Sequence, residues 1–252
     1  MIILKSPEEI EKIAQACLIV AKALDYLREL VLPGVSTNIL EEAADAYIRS
    51  HNAVPAFKGY RGYPASICTS VNNEVIHGIP SDRVLEEGDI VGIDLGVYKE
   101  GFYGDAAYTF GVGSIVPEAE RLLRVTEESL CIGIENAKKN NRVSDISFAV
   151  QKHIESNGFS VVRAFVGHGI GRSLHEDPQI PNFGQPGRGP RLSPGMTIAI
   201  EPMVNTGGHE VVVLDDGWTA VTMDGTLSAH FEHTILVTED QPRILTKINE
   251  KA

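Results

Sequence analysis

The chain has 252 residues, 43% of them apolar, and a formal net charge of -12. That length holds one large core or two small ones. The acidic balance argues against a nucleic-acid footprint, which needs clustered Lys and Arg, and no apolar run approaches the roughly 18–20 residues of a membrane-spanning helix.

Cys17, Cys68 and Cys131 are too few and too scattered for a disulfide framework or a zinc knuckle. The opening MIILKSPEEIEKIA has neither the apolar stretch nor the cleavage site of a secretory signal. The expected setting is therefore reducing and cytoplasmic.

Ser6-Pro7-Glu8-Glu9 reads as a helix start, with Ser6 as N-cap, Pro7 at the first helical position and Glu9 closing a capping box. Ile10, Ile13, Cys17, Val20, Leu24 and Leu27 follow at steps of three and four, the pattern of an amphipathic helix lying against a sheet. Leu32-Pro33-Gly34 ends it, and Ser36 or Thr37 caps a second helix reaching about residue 51. The loop FKGYRGYPAS then leads into the short apolar segment ICTSV and on to His77.

A strand is expected around Asp94, with Val91, Ile93, Leu95 and Val97 on one face and Asp94 sharing the other with Gly92 and Gly96. The next strand places Asp105 with Ala107 and Thr109. Two helices follow at about 117–137 and 144–157, the second closed by Gly158. FSVVRAFV reads as one strand running into GHGIGRSLHEDP. A further strand carries Glu201 beside Thr197 and Ala199, opposite Ile198, Ile200 and Val204, and HFEHTILV supplies Glu232. Helices followed by strands, twice over, predict an α+β fold whose sheet packs helices on one side.

LEEGDIVGIDLG and LSPGMTIAIEP align at a constant offset of 107 residues: Leu85 falls on Leu192, Gly88 on Gly195 and Asp94 on Glu201. Each copy brings one carboxylate on an expected strand and is followed by another, Asp105 or Glu232. Single acids on strands are common accidents. Four of them with small neighbours, joined by His168 and with no Arg or Lys to pair them, point instead to divalent cations, because unpaired charge on an inward face is costly. Oxygen-rich donors hold hard or borderline ions, and two such ions form the clamp of a hydrolase.

His77 in HGIP and His175 in GRSLHEDP lie in loops beside glycine and proline, where functional residues concentrate. A lone histidine is more often structural; near metal-activated water it can hold the scissile carbonyl or the developing oxyanion. GHGIGR lacks the lysine of a phosphate loop, which excludes nucleotide binding by that motif.

The segments GYPASICTSVNNEVIHGIP, DIVGIDLGVYKEGFYGDAAYTF, FVGHGIGRSLHEDP, AIEPMV and SAHFEHTILV closely resemble the type I methionine aminopeptidases, from the first helix to about residue 238. The resemblance implies the pita-bread fold, a single catalytic domain over 1–252 whose pseudo-symmetric halves, about 1–112 and 113–252, surround a central antiparallel sheet with helices outside. It implies removal of the initiator methionine from peptides and nascent proteins whose second residue is small. The cofactors would be two divalent metal ions (Co, Mn, Fe or Zn).

On matching positions, Asp105 and Glu232 would bridge the ions, Asp94 would complete one site, and His168 with Glu201 the other. A metal-bridging hydroxide would attack the peptide carbonyl, with Glu201 as general base, His175 at the oxyanion, and His77 at the scissile nitrogen or the next residue. Tyr60, Tyr63, Cys68 and Trp218 would line the methionine pocket, and a monovalent cation would sit near Asn72 and Ser228. The family further implies a monomer that meets the ribosome transiently and engages neither DNA nor membrane.

Phe57, Arg61, Leu174 and His230 depart from the pattern of well-known bacterial members, where cysteine, histidine, an aromatic residue and glutamine are common. Two alternatives are a prolidase or aminopeptidase P of the same fold, usually with a large N-terminal domain, and a binding module that has lost its metals.

Overall fold

In the computed structural model, residues 1–248 are described. Helix α1 (Pro7–Arg28) opens with the expected capping box: Glu9 N–H donates to Ser6 Oγ, and Ser6 N–H donates to the Glu9 carboxylate. Helix α2 (Thr37–Ser50) has Ser36 at its N-cap position, but neither hydroxyl caps it; Thr37 Oγ1 donates instead to the Ser81 carbonyl. Strands β1 (Val54–Pro55), β2 (Ile67–Val71) and β3 (Glu74–Ile76) precede the long hairpin of β4 (Ile90–Lys99) and β5 (Phe102–Gly111). Helices α3 (Pro117–Asn136) and α4 (Val143–Ser156) follow, Gly158 taking positive φ just beyond α4. The chain continues through β6 (Ser160–Val161), β7 (Val166–Gly169), β8 (Glu176–Pro181), β9 (Thr197–Ile200) and β10 (Met203–Asn205). It closes with β11 (Val211–Val213), β12 (Ala220–Thr222), β13 (Ser228–His230), β14 (His233–Leu236) and β15 (Arg243–Ile244).

All described strand pairs are antiparallel. Strand β4 is flanked by β5 on one side and by β1 and β2 on the other, while β15, β14, β9, β7 and β8 form a second ladder; β13-β10-β6 and β11-β12-β3 are smaller ones. One apolar cluster joins Ala16, Val20 and Leu27 of α1 and Leu40, Ala44 and Ile48 of α2 to Val91, Ile93, Leu95 and Val97. A second joins Leu122 and Leu130 of α3 and Ile146, Val150 and Ile154 of α4 to Ile198, Ile200 and Ile235. Each long ladder thus has its own helix pair.

Two sequence expectations need correction. FSVVRAFV is not one strand: β6 pairs with β10, whereas β7 pairs with β8 and β9, so the chain changes ladder between Val162 and Phe165. Glu201 and Glu232 are not within strands either. Glu201 follows the last residue of β9 and precedes Pro202, which has no N–H to offer a ladder. Glu232 lies at the break where the chain leaves β13 for β14. Alternation along a single strand cannot reveal such a switch of partners.

Side chains and backbone stitch the two long ladders together where the acids lie. Glu232 N–H donates to the Ala107 carbonyl at 2.8 Å; Thr234 Oγ1 donates to the Asp105 carbonyl at 2.7 Å and accepts from Asp105 N–H at 3.2 Å. Thr109 Oγ1 likewise bonds the backbone of His230.

Candidate metal centre and active site

On the hairpin, Asp105 stands opposite Gly96, two positions along from Asp94, so both carboxylates project from one face. In the other ladder His168 is opposite Ala199, and Ala199 is opposite Thr234. Glu201 and Glu232 lie two residues from that row, which brings one imidazole and two carboxylates towards the same side.

One donor atom each from Asp105, His168 and Glu232 falls within 4.8 Å of the others. His168 Nε2 is 3.6 Å from Glu201 Oε1 and 4.0 Å from Asp105 Oδ2. Asp94 lines the same cavity. The structure therefore brings together all five residues read from the sequence, three of them in the tightest group.

Asp94 Oδ1, Asp105 Oδ1 and Glu232 Oε1 are buried without any hydrogen-bond partner. Burial first, and then the charges of one another, push the Asp105, Glu201 and Glu232 carboxyls well above the usual carboxylate range, and burial does the same to Asp94. Orphaned oxygens converging without Lys or Arg are the donor set of divalent cations. His168 suits the same role. Burial, and secondarily His175, lower its pKa to about 3, and its Nδ1 faces the Gly169 carbonyl at 2.9 Å. Nδ1 then carries the proton, and Nε2 presents a lone pair.

Beside the acids is a cavity of about 150 Å³. Its wall is held rather than loosely packed. The Tyr63 hydroxyl lies within hydrogen-bond distance of the Ile67 and Gly78 carbonyls, and its ring meets Trp218 edge-on at 5.1 Å. Trp218 sits on a turn organised by Asp216, whose carboxylate accepts from Trp218 N–H at 2.8 Å. Cys68, opposite Asp94 in the β2–β4 ladder, is buried, and its thiol is pushed up by burial.

His77 follows β3 at φ 59° and packs edge-on against Phe165 and Trp218. Burial, then His175, lower its pKa to about 4. His175 is exposed at the mouth, with its ring 4.2 Å from that of His168 and its Nδ1 2.9 Å from the Tyr60 hydroxyl. Loss of water around its ring from the neighbouring side chains, and then the Arg61 guanidinium, lower its pKa too.

Asn72 and Ser228 meet away from this cavity: Ser228 N–H donates to the Asn72 carbonyl at 2.9 Å, and the Asn72 amide is tied to Asp89 and to Ile90 N–H. Ser228 Oγ and Asn205 Oδ1, from paired residues of β13 and β10, are buried without partners.

Three lining residues, Phe57, Arg61 and Leu174, were singled out in the sequence only as departures from a pattern. His230 was another. It is buried, with Nε2 3.8 Å from Glu201 Oε2, so the Glu201 carboxylate lies between two imidazoles. No local periodicity signals that juxtaposition, which arises from β10–β13 pairing.

A centre of this kind, carboxylates and an imidazole drawn from two helix-backed antiparallel ladders, defines a metallopeptidase of the pita-bread fold. Residues 11–239 match metallopeptidase family M24, and the chain belongs to that family. It is 56% identical to a methionine aminopeptidase of Clostridium perfringens, over 98% of this chain and 100% of that one. It is 51% identical to methionine aminopeptidase 1 of Bacillus subtilis, again over 98% and 100%. The crystal structure of the Thermotoga maritima methionine aminopeptidase superposes with a TM-score of 0.97 at 50% identity, covering 98% of this chain and all of that one. A Pyrococcus horikoshii prolidase shares the fold, with TM-score 0.81 at 24% identity, and 65% of its length is covered.

Proposed function

We propose that this hydrolase removes the N-terminal methionine from peptides and nascent proteins, with a small residue such as Gly, Ala or Ser in second position. Full-length identity to methionine aminopeptidases supports the activity. The observation that carries the reading is the adjacency of the orphaned carboxylates to a small cavity walled by Tyr63, Cys68 and Trp218. Aromatic rings and a thiol suit a polarizable thioether.

The donors fit two divalent ions, which Asp94, Asp105, His168, Glu201 and Glu232 would hold. When bound, such ions supply Lewis acidity at the scissile carbonyl and lower the pKa of water. The protein's own residues do the rest. Glu201, its carboxylate between the His168 and His230 imidazoles, would accept the proton of the attacking water and return it to the departing amine. His175 Nδ1 is held 2.9 Å from the Tyr60 hydroxyl, which leaves Nε2 to offer a proton to the developing oxyanion in the tautomer that carries it there. Neutral His77, fixed between Phe165 and Trp218, orients the scissile nitrogen or the following residue. Tyr60, Tyr63, Cys68 and Trp218 hold the methionine side chain.

A monovalent cation near Asn72 and Ser228 is part of the proposal, supported by the orphaned Ser228 and Asn205 oxygens. We also place the protein in the cytoplasm as a monomeric single domain of two related halves that meets the ribosome transiently. Its buried, separate Cys17 and Cys68 suit a reducing setting, and none of its described helices is long and apolar enough to cross a membrane.

The deciding measurement is cleavage of Met-Ala-Ser against Gly-Pro peptides by protein reconstituted with manganese or cobalt. Release of methionine from the first is expected. Preference for Gly-Pro would move the chain to the prolidase type, and no release from either would favour a binding module.

A further inference from the structure

The six residues before α1 belong to no regular element, yet Lys5 is among the most deeply buried charges of the described chain. Its side chain is 1% exposed and its Nζ lies 2.7 Å from Glu176 Oε2, on a carboxylate that is itself 8% exposed. Lysine is seldom buried without a definite task for its ammonium.

Its partner directly follows His175. Glu176 Oε1 accepts from Arg172 N–H at 2.6 Å and from Ser173 N–H at 3.1 Å, so one carboxylate folds the whole turn from 172 to 176 about itself. The stem of Lys5 crosses Gly171, where an added Cβ would come within 2.3 Å of Lys5 Cε. Lys5 is anchored in turn by its own N–H, which donates to the Gly195 carbonyl at 2.8 Å. From outside, Arg172 Nε donates to Glu9 at the start of α1, at 2.6 Å. Tyr103 N–H holds the Gly171 carbonyl at 2.8 Å. The segment between Gly171 and Glu176 is therefore fixed by groups distant in sequence, and Lys5 supplies the one buried charge among them.

We propose that Lys5, through Glu176, positions His175 against the scissile carbonyl, making the segment ahead of α1 part of the catalytic apparatus although it touches no substrate. This rests on the reading of His175 as the oxyanion donor. Loss of the ammonium leaves a buried carboxylate without its counter-charge. Glu176 then turns towards water and draws the adjacent imidazole with it, and small misplacements of a catalytic group are costly in rate.

The test is a double-mutant cycle on the full chain reconstituted with manganese. Lys5→Met is expected to lower kcat about 10- to 100-fold, with KM for Met-Ala-Ser and bound manganese unchanged. His175→Ala alone is expected to lower kcat about 10²- to 10³-fold. In the His175→Ala background, Lys5→Met should change kcat by less than about twofold, because its effect passes through the missing imidazole. Equal factors in both backgrounds, or full kcat in folded Lys5→Met, would overturn the proposal while leaving the role of His175 intact. Full rate in His175→Ala would overturn both at once. If Lys5→Met does not fold, Glu176→Gln, which keeps an acceptor for the two amides but not the ion pair, carries the same cycle with the same expected non-additivity.

Discussion

Glu201 has the most demanding surroundings of any single residue, between His168 and His230 and beside two further acids. Glu201→Ala removes both a proposed metal donor and the proposed base, so turnover of Met-Ala-Ser should fall to background; metal content measured alongside kinetics separates the two losses. His77 makes a prediction in pH. Its pKa is held at about 4 in the folded protein, chiefly by burial, against 6.5 as a free side chain. Between those values the unfolded chain binds a proton that the native one refuses, so stability is fully present above pH 6.5 and is lost as pH falls towards 4. The loss amounts to up to about 3 kcal/mol. Denaturant melts at pH 7 and pH 4.5 should show a smaller acid loss in His77→Gln than in the parent; equal losses would mean the imidazole is not buried neutral.

Among the elements, the β4–β5 hairpin has no spare room beneath α1. An added Cβ at Gly104 would lie 2.7 Å from the Cys17 backbone nitrogen, because α1 presses directly on β5 there. Gly104→Ala should therefore cost about 1–3 kcal/mol or more by overpacking, and shift the neighbouring Asp105 enough to weaken manganese binding by calorimetry. At the N-terminus of α1, Ser6→Ala removes one half of the capping box and should cost about 1 kcal/mol. Such elements were legible in advance because their signals are local: a cap three residues from its partner, and alternation that puts Asp94 among glycines. The ends of β9 and β14 were not, because Glu201 and Glu232 sit where the chain exchanges one ladder for another. Nor was the pairing of Lys5 with Glu176, which no spacing rule connects, or the approach of His230 to Glu201 across β10 and β13.

For the molecule as a whole, the buried acids are a liability until cations join them. A ligand that binds only the native state at 100 times its Kd stabilises by about 2.7 kcal/mol, roughly a 5–10 °C rise in Tm for a domain of this size. Chelator-treated protein should melt lower by that order and recover with manganese, whereas Asp105→Ala should not respond to the metal.

Asp94 and Asp105 come from the hairpin under the first helix pair, His168 from the ladder under the second, and Glu201 and Glu232 from just outside that ladder's strands. A growing polypeptide halted between the two would hold only part of that donor set. The proposed donor set is complete only once both ladders are present.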